Sequence, residues 1–372
     1  MASVRLIHIA PELPPMVGGV ADYTTILSRR LVEVFGGDME LVLVHAGNQP
    51  AEAIDVDFPV EDLSGQCSAS ALAQAIERLA AEADGQAVVL LEYSGYGYAM
   101  RGAPLWLVRG LRRVCRPDGL PLFTVFHEVY TSGPLWSSAF WVSPLQRWIA
   151  GRLARHSTHA LVNRVSGREQ LRRWTTDPST VSLRPVFSNV GEPDARRPIS
   201  DRERTAVLFV GEGEKDKLYR DHSSELRQLF GRLEISRAVD IGPRPPEQPD
   251  LGVDVDIKGM LPADEVSHRL ERAQIGLAYR RLDMLAKSGV VAAYLAHGVV
   301  PVIMSNGGRS EDAMLSHGTQ YVTLNRTCSS SVECENLSRR GFNWYSENAH
   351  SCVTARTVSQ YVRSASRKTK AE

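Results

Sequence analysis

Residues 4–35 read VRLIHIAPELPPMVGGVADYTTILSRRLVEVF, and this stretch decides the fold class. The run Val4–Ala10 is short, mostly apolar and followed by proline, which is typical of a buried parallel strand. A loop rich in proline and glycine follows, and apolar residues then recur at helical spacing from Tyr23 to Phe35. Strand, glycine loop and helix in this order predict the start of a Rossmann-like unit of the α/β class.

The alternation of short apolar runs with amphipathic helices continues along the chain and starts again after a polar, linker-like segment at residues 188–204. The predicted strands are Val4–Ala10, Leu41–Val44, Ala87–Leu91, Leu122–Phe126, Ala206–Val210, Val239–Ile241, Ile275–Tyr279 and Val299–Met304. Repeated strand–helix–strand units predict parallel sheets. We therefore predict two successive Rossmann-like domains, at residues 1–190 and 205–341, and a helical C-terminal segment in 342–372.

Composition bounds the function. The chain has 372 residues, with 43 Lys and Arg against 43 Asp and Glu, so its formal net charge is zero. The neutral balance argues against a general nucleic-acid binder, and the length favours two domains of roughly 100–200 residues each. No apolar run approaches the roughly 18–20 residues that span a bilayer, and the apolar stretch at the N-terminus reads as a strand rather than a secretion signal.

The cysteines are scattered, and no Cys-x-x-Cys pair or Cys/His group has the spacing of a zinc site. They are Cys67, Cys115, Cys328, Cys334 and Cys352. We therefore expect reduced thiols in a cytoplasmic protein and no metal site.

The first motif is Gly18-Gly19, between the first predicted strand and its helix. Open α/β sheets bind ligands beyond the carboxyl ends of their strands, so this loop would line a cleft between two facing domains. Glycines let the backbone approach a ligand, and a helix N-terminus offers N–H groups to a phosphate. The alternative interpretation is a flexible turn.

A nicotinamide-dependent dehydrogenase is the competing interpretation of such a fold. Its Gly-x-Gly-x-x-Gly fingerprint is absent from the first strand–helix turn. In the second half, Gly211 and Gly213 have the right spacing, but Asp216 replaces the third glycine. This departure disfavours a dinucleotide site.

Two further strand ends in the first half carry polar or aromatic residues. His127 and Glu128 follow the run Leu122–Phe126, and a histidine there can bind a sugar hydroxyl while the carboxylate holds its tautomer or contacts the ligand. The three tyrosines that follow the strand at residues 87–91 are candidate contacts of a carbohydrate acceptor, namely Tyr93, Tyr96 and Tyr98. A structural histidine and simple loop packing are the alternatives.

In the second half, Lys287, Ser288, Gly289 and Val290 precede a helix that leads into an apolar strand. The backbone N–H groups, the helix dipole and the lysine ammonium would together hold a diphosphate. Capping of the helix by the Ser288 hydroxyl is the simpler interpretation, and it is compatible with binding.

Arginines outnumber acidic residues between Arg101 and Arg173, and WIAGRLARH at residues 148–156 is a basic amphipathic helix. Such a helix can lie on an anionic membrane surface. A solvated basic face is the alternative, so peripheral contact with the inner membrane is one candidate interaction.

Taken together, the motifs resemble those of retaining, nucleotide-sugar-dependent glycosyltransferases of the GT-B fold, a family that includes many bacterial surface-polysaccharide enzymes. The resemblance covers nearly the whole chain and rests on PPMVGGVADYT (14–24), TVFHEVY (124–130), LFVGEGEKDK (208–217), GMLPADEVSHRLERAQIGLAYR (259–280) and AKSGVVAAYLAHGVVPV (286–302). It implies two facing Rossmann-like domains, with the donor held mainly by the second and the acceptor by the first. It also implies a C-terminal helix that returns to the first domain.

By this resemblance, Gly18 and Gly19 lie near the donor phosphates and sugar, and His127 is the active-site histidine. Lys217 matches a lysine on the donor diphosphate, and the backbone of Ser288–Val290 holds the same group.

The chain also departs from the family pattern. Glu212 stands where the family has an arginine five positions before Lys217. The family's two glutamates, which contact the donor sugar and the ribose, correspond to Leu285 and Ala293. Our hypothesis is that Lys287 replaces the missing guanidinium charge.

The resemblance implies transfer of a hexosyl unit from a nucleoside-diphosphate sugar to a sugar hydroxyl with retention, and a lipid-linked glycan is one candidate acceptor. Backbone N–H groups with Lys217 and Lys287 would stabilise the leaving diphosphate without a metal or other cofactor, and His127 would contact the transferred sugar. No nucleic-acid partner is expected. The alternative is a catalytically silent sugar-nucleotide-binding homologue that acts as a scaffold in glycan assembly.

Overall fold

The structure is a computed structural model, and it describes residues 4–16, 18–48, 53–116, 118–131, 136, 138–245, 247–305, 314–328 and 330–368. The chain divides into two compact units, which we call unit 1 (residues 1–184 and 351–372) and unit 2 (residues 185–350). The sequence analysis predicted the domain boundaries between residues 190 and 205 and at residue 342. Within the described ranges, no helix is both long enough and apolar enough to cross a membrane.

Unit 1 contains a parallel sheet with the strand order β3-β2-β1-β4-β5-β6-β7. Its strands are β1 (Val4–Ala10), β2 (Met39–His45), β3 (Val60–Asp62), β4 (Gln86–Tyr93), β5 (Leu122–Phe126), β6 (His159–Val162) and β7 (Val181–Leu183). The helices that connect them are α1 (Gly19–Phe35), α2 (Ala69–Ala81), α3 (Gly95–Tyr98), α4 (Leu105–Val114), α5 (Ser138–His156) and α6 (Val165–Arg172). A short 3-10 helix, Pro178–Thr180, precedes β7.

Helix α1 shows why the opening stretch folds as the pattern predicts. Its apolar residues recur on one side, and Ala21, Leu27 and Leu31 are fully buried. The helix ends at Gly36, whose φ of 60° lies in the left-handed region that favours glycine. The Gly36 N–H donates to the carbonyl of Val32 at 3.0 Å, which satisfies one of the last carbonyls of the helix.

Unit 2 repeats the architecture, with the strand order β10-β9-β8-β11-β12-β13. Its strands are β8 (Thr205–Phe209), β9 (Arg237–Ile241), β10 (Asp254–Gly259), β11 (Ile275–Tyr279), β12 (Val300–Met304) and β13 (Val322–Thr323). Its helices are α7 (Glu212–Arg232), α8 (Ala263–Arg272), α9 (Gly289–Ala296) and α10 (Ser331–Asn348), with 3-10 helices at Ile199–Asp201 and Leu282–Lys287. The predicted α/β class with two Rossmann-like parallel sheets is confirmed.

In each sheet the chain reverses its direction of growth beside the first strand. β1 lies between β2 and β4, and β8 lies between β9 and β11. Helices leave opposite faces of the sheet on the two sides of such a point, which opens a crevice at the carboxyl ends of the strands. Each unit therefore has one topologically defined place for a ligand.

The polar segment 188–204, expected to be a linker, is instead packed into unit 2. The Ile199 side chain is buried, and its N–H donates to Glu335 Oε2 at 2.7 Å. The buried guanidinium of Arg202 donates to the carbonyls of Ala273 and His297 at 2.9 and 2.7 Å. The charged residues of the segment suggested exposure to solvent, but the hydrogen bonds named above join it to other residues of unit 2.

The single C-terminal helix expected from Phe342 onward is two helices in the structure, α10 and α11 (Ser351–Lys368). The final helix returns to unit 1, as expected. There the Tyr361 ring stacks on His159 with ring centroids 3.8 Å apart, and its hydroxyl lies 2.8 Å from that of Ser182.

The expectation of reduced thiols is wrong for one pair of cysteines. Cys328 and Cys334 form a disulfide, with their Cα atoms 5.7 Å apart. Cys67, Cys115 and Cys352 are free thiols, as expected.

Candidate functional site

A chain of buried polar side chains runs through unit 1 beneath the carboxyl ends of β1, β4 and β5. Glu92 Oε1 accepts from His8 Nε2 at 2.9 Å, and Glu92 Oε2 accepts from His127 Nε2 at 2.7 Å. His8 Nδ1 lies 2.9 Å from the hydroxyl of Ser28 on α1. His8 and Glu92 are fully buried, whereas the His127 side chain is 10% exposed. This row of hydrogen-bonded side chains therefore ends in His127, which a ligand can reach.

The pairing of the strands explains why these residues meet. His8 pairs with Leu90, two positions before Glu92, and Glu92 pairs with Val125, two positions before His127. Side chains two positions apart on a strand share a face of the sheet, so all three histidine and glutamate side chains point to the face that α1 covers.

The surroundings of Glu92 determine which atoms of Glu92, His8 and His127 carry hydrogens. Burial raises the pKa of Glu92, but the hydrogen bonds and the charge interactions with His127 and His8 together outweigh it and leave that pKa below its ordinary value. An ionised carboxylate only accepts, so Nε2 carries the hydrogen on both rings. The edge of Tyr23 packs against the His127 ring with centroids 4.9 Å apart, which further fixes its orientation.

The carboxylate that orients His127 is therefore Glu92, which corrects the tautomer role expected for Glu128. The sequence analysis assigned no role to Glu92 or His8. A signal existed for both, because a charged or polar side chain inside an otherwise apolar strand must find a partner when buried.

The motif glycines have different surroundings. A Cβ on Gly18 would collide with Glu12 Oε2, whereas one on Gly19 would meet no atom within 4 Å. The Gly18 φ of −171° is extended and needs no glycine, and, among the described residues, the only atoms that a side chain at residue 18 would have to displace belong to the end of the flexible Glu12 side chain. Contact of Gly18 and Gly19 with a donor stays a prediction.

Glu12 stands directly after β1 with no ion pair or hydrogen bond to the described residues. Burial raises the pKa of Glu12, and the nearby His127 and His45 only partly offset this. The buried His45 Nε2 also lacks a partner within the described ranges, while its Nδ1 bonds to Asp62 Oδ1 at 3.0 Å. A half-buried carboxylate and an unsatisfied ring nitrogen are groups that a hydroxyl-bearing ligand would satisfy.

The three candidate acceptor tyrosines do not share one environment. Tyr93 is buried against Phe126, and Tyr98 is buried with its hydroxyl donating to the Glu92 carbonyl at 2.9 Å. Neither ring is available to an acceptor at the surface, which corrects the prediction for both. Tyr96 is 41% exposed, with its hydroxyl 3.1 Å from that of Thr131, and it remains a candidate.

In unit 2, the predicted phosphate loop lies at the N-terminus of α9. Ser288 caps this helix, because its hydroxyl accepts from the Val291 N–H at 3.3 Å. The N–H groups of Gly289 and Val290 have no acceptor among the described residues, and a Cβ on Gly289 would meet no atom within 4 Å. Lys287 is the last residue of the preceding 3-10 helix. The capping expected for Ser288 is confirmed, and open space adjoins the helix end.

Two lysines near the start of α7 differ in role. Lys217, the predicted diphosphate ligand, is exposed. Lys215 is buried and donates to Asp240 Oδ1 and, at 2.5 Å, to the carbonyl of Pro243. Tyr219 donates to the other oxygen of Asp240. Sequence reasoning missed this buried cluster, although Asp240 within an apolar strand was a signal for it.

Leu285 and Ala293, which the resemblance aligns with two glutamates of the glycosyltransferases, are both buried in the hydrophobic core of unit 2. Their side chains pack on that core and offer no polar atom to a donor. In the part of the chain that the structure describes, no group of three or more His, Cys, Asp or Glu could hold a metal ion.

No family model and no curated protein matches the chain by sequence. Solved structures match over almost its full length. An α-glucosyltransferase, solved with UDP-glucose and DNA containing an abasic site, has 11% identity and a TM-score of 0.59, and the match covers 98% of this chain and 100% of that one. A trehalose 6-phosphate synthase from Burkholderia multivorans has 12% identity and a TM-score of 0.59, covering 99% and 100%.

A third neighbour is a putative UDP-N-acetylglucosamine 2-epimerase from Listeria monocytogenes, with 14% identity and a TM-score of 0.59, covering 99% of this chain and 98% of that one. Identities this low establish the fold alone. The chain has the GT-B fold, in which one polypeptide forms two Rossmann-like α/β units and its last helix returns to the first.

Proposed function

We propose that the protein is a glycosyltransferase that moves a hexosyl unit from a nucleoside-diphosphate sugar to a sugar hydroxyl, with retention at the anomeric carbon. The observation that supports it most is the placement of chemical groups at the topologically defined ligand site of each sheet. His127, oriented by Glu92, stands there in unit 1, and the N-terminus of α9 stands there in unit 2. Two proteins with this fold were solved with UDP or UDP-glucose.

The chemical difficulty is the diphosphate, which gains negative charge as the glycosidic bond breaks. In the proposed mechanism the N–H groups of Gly289 and Val290, with Lys287 and Lys217, stabilise that charge without a metal ion. The departing phosphate accepts the proton of the attacking hydroxyl on the same face of the sugar, which gives retention. His127 Nδ1 contacts the transferred sugar while Glu92 holds the Nε2 hydrogen.

The direct test measures nucleoside-diphosphate release from a panel of nucleotide sugars, with oligosaccharide acceptors and with EDTA present. We expect the nucleoside diphosphate to be released only when an acceptor is present. The anomeric configuration of the new glycosidic bond should be the same as that of the donor sugar. His127→Ala should lower turnover by about 100-fold or more while donor affinity changes little. His268→Ala, an exposed histidine on α8, is the matched control and should behave as wild type. Equal losses of turnover and donor affinity would contradict the role of His127.

A catalytically silent sugar-nucleotide-binding protein is the second candidate, and the buried apolar residues Leu285 and Ala293 favour it. Both candidates bind a nucleotide sugar, so a thermal-shift screen cannot separate them, although it identifies the ligand. Binding without diphosphate release, with every acceptor class supplied, would select the silent protein. Analysis of the recovered sugar also detects isomerisation, the reaction of an epimerase.

We further propose a glycan acceptor of the bacterial surface-polysaccharide type, lipid-linked, with the protein working in the cytoplasm at the inner membrane. Exposed aromatic side chains on α5 support contact with a lipid surface, because tryptophan rings partition to the membrane interface. An extracted lipid fraction that accepts labelled sugar would test the acceptor class.

A further inference from the structure

A cavity of about 460 Å³ lies in unit 1 at the ends of α4 and α5. It is lined by Arg109, Arg112, Arg113, Arg116 and His156, and we call it the arginine pocket. The two helices end there and lead into the first residues of β5 and β6. The arginine pocket therefore lies at the amino edge of the parallel sheet, opposite the carboxyl edge that carries His127.

The four arginines of this pocket are not paired with acidic side chains of the described residues. None of the four forms an ion pair or a side-chain hydrogen bond with the part of the chain that the structure describes. The C-terminal ends of two helices supply only about half a negative charge each. Asp118 lines an adjacent cavity together with Arg116 and Arg155. Four guanidinium groups against these charges leave a clear positive excess.

His156 adds a hydrogen-bonding group to the same wall. Its Nε2 is buried and has no partner among the described residues. Burial lowers the pKa of His156, and the positive charges of Arg112, Arg152 and Arg155 lower it further. The ring nitrogen can donate to an oxyanion that the guanidinium groups hold.

An apolar stripe leads along α5 to this pocket. Trp141, Leu145 and Trp148 are spaced by four and three residues, which places them on one face of the helix. Trp141 is 74% exposed and Trp148 is 44% exposed. The guanidinium of Arg152, one turn further, lies over the Trp148 ring at 5.1 Å. Exposed tryptophans next to basic side chains match the chemistry of the lipid–water interface.

We propose that the arginine pocket binds the phosphate group of an anionic membrane lipid, while the tryptophans of α5 enter the headgroup region beside it. Planar guanidinium groups suit a phosphate because each can donate two parallel hydrogen bonds to its oxygens. The site does not depend on glycosyl transfer, so it can stand or fall separately from the proposed function.

The test is co-sedimentation of the full chain with vesicles of phosphatidylcholine alone or mixed with phosphatidylglycerol. We expect binding only to the mixed vesicles. Arg112→Ala/Arg113→Ala should weaken it about thirtyfold, since a basic residue near an anionic surface contributes about fivefold in affinity. Arg269→Ala/Arg326→Ala removes two arginines from unit 2 and should leave binding unchanged. Equal binding by the two double variants would overturn the proposal.

A charge-conserving variant separates a phosphate pocket from diffuse attraction. Arg112→Lys/Arg113→Lys keeps both charges but loses the bidentate geometry, so its vesicle binding should fall severalfold. If this variant bound vesicles as well as wild type, general surface charge rather than a phosphate pocket would explain the binding. If the protein bound inorganic phosphate but no vesicles, the ligand would not be a membrane lipid.

Discussion

Glu92→Gln is the substitution that tests the buried histidine–carboxylate chain most directly. Glu92 is fully buried and accepts from His8 and His127 at 2.9 and 2.7 Å. Glutamine has nearly the same shape, but an NH2 group replaces one acceptor oxygen, so one histidine must change tautomer to accept from it. The substitution therefore removes the charge and turns two charge-assisted hydrogen bonds into neutral ones.

The size of the effect follows from two opposing contributions. Charge-assisted hydrogen bonds contribute about 1.5–3 kcal/mol and neutral ones about 0.5–1.5 kcal/mol, so each exchange loses roughly 1 kcal/mol. Removing the charge also removes the cost of burying it. The lowered pKa of Glu92 shows that the hydrogen bonds and the charge interactions with His127 and His8 together outweigh burial. We therefore expect the free energy of unfolding to fall by about 1–2 kcal/mol at neutral pH.

Urea unfolding followed by circular dichroism measures this loss, which corresponds to a midpoint lower by roughly 0.5–1 M. The folded-state pKa of Glu92 lies below its ordinary value of 4.5, so the contribution of the carboxylate is complete above that pH. It is lost as the pH falls through the folded-state value, because the protonated acid resembles glutamine. The midpoints of the two proteins should then converge. Equal midpoints at neutral pH would refute the reasoning.

A matched control separates loss of stability from loss of function. Thr124 is buried in β5, and its hydroxyl lies 2.7 Å from that of Ser157, so Thr124→Val should also destabilise unit 1 by about 1 kcal/mol. Only Glu92→Gln should change the pH profile of turnover, because only this substitution frees the tautomer of His127. The same pH profile in both variants would remove Glu92 from the site.

Three further predictions concern other parts of the fold. Gly18→Ala should change the melting temperature little, because its Cβ meets the carboxylate at the end of the flexible Glu12 side chain, which can rotate away; a large fall that Glu12→Ala reverses would contradict this. The added Cβ of Gly289→Ala meets open space at the start of α9, so the substitution should raise the free energy of unfolding by about 0.5–1 kcal/mol. Because the donor phosphate is proposed to lie there, calorimetry should show weaker nucleotide-sugar binding, and an unchanged affinity would contradict that position of the phosphate. Thiol titration of the unfolded chain should give three thiols before reduction and five after it, and five at the outset would contradict the Cys328–Cys334 bond.

Local patterns in the sequence carried most of the fold. The strands Val4–Ala10, Leu122–Phe126 and Ile275–Tyr279 have the bounds that their apolar runs predict, because a strand buried on both faces needs continuous apolar residues. Short edge strands such as β3 and β13 were not predicted, since they bury little and carry no such run. The break at His350 was also missed, because helical periodicity continues on both sides of it.

The candidate site was less predictable because its residues are distant in sequence. Glu92 and His8 are 84 positions apart and meet only through the register of β1 and β4. His127 stood out because it follows a strand, but its partner could be assigned only once that register was known. Without the register, Glu128 was chosen as the partner because it is next to His127 in the sequence.

The two units also differ in how their candidate sites depend on side chains. In unit 1, the site is a connected set of histidine and glutamate side chains, and each substitution there breaks a bond. In unit 2, the oriented groups are the N–H groups at the start of α9, which any residue except proline supplies. A backbone site places few demands on sequence. The apolar side chains of Leu285 and Ala293 in the core of unit 2 are compatible with the proposed anion site, because backbone N–H groups rather than these side chains would form it.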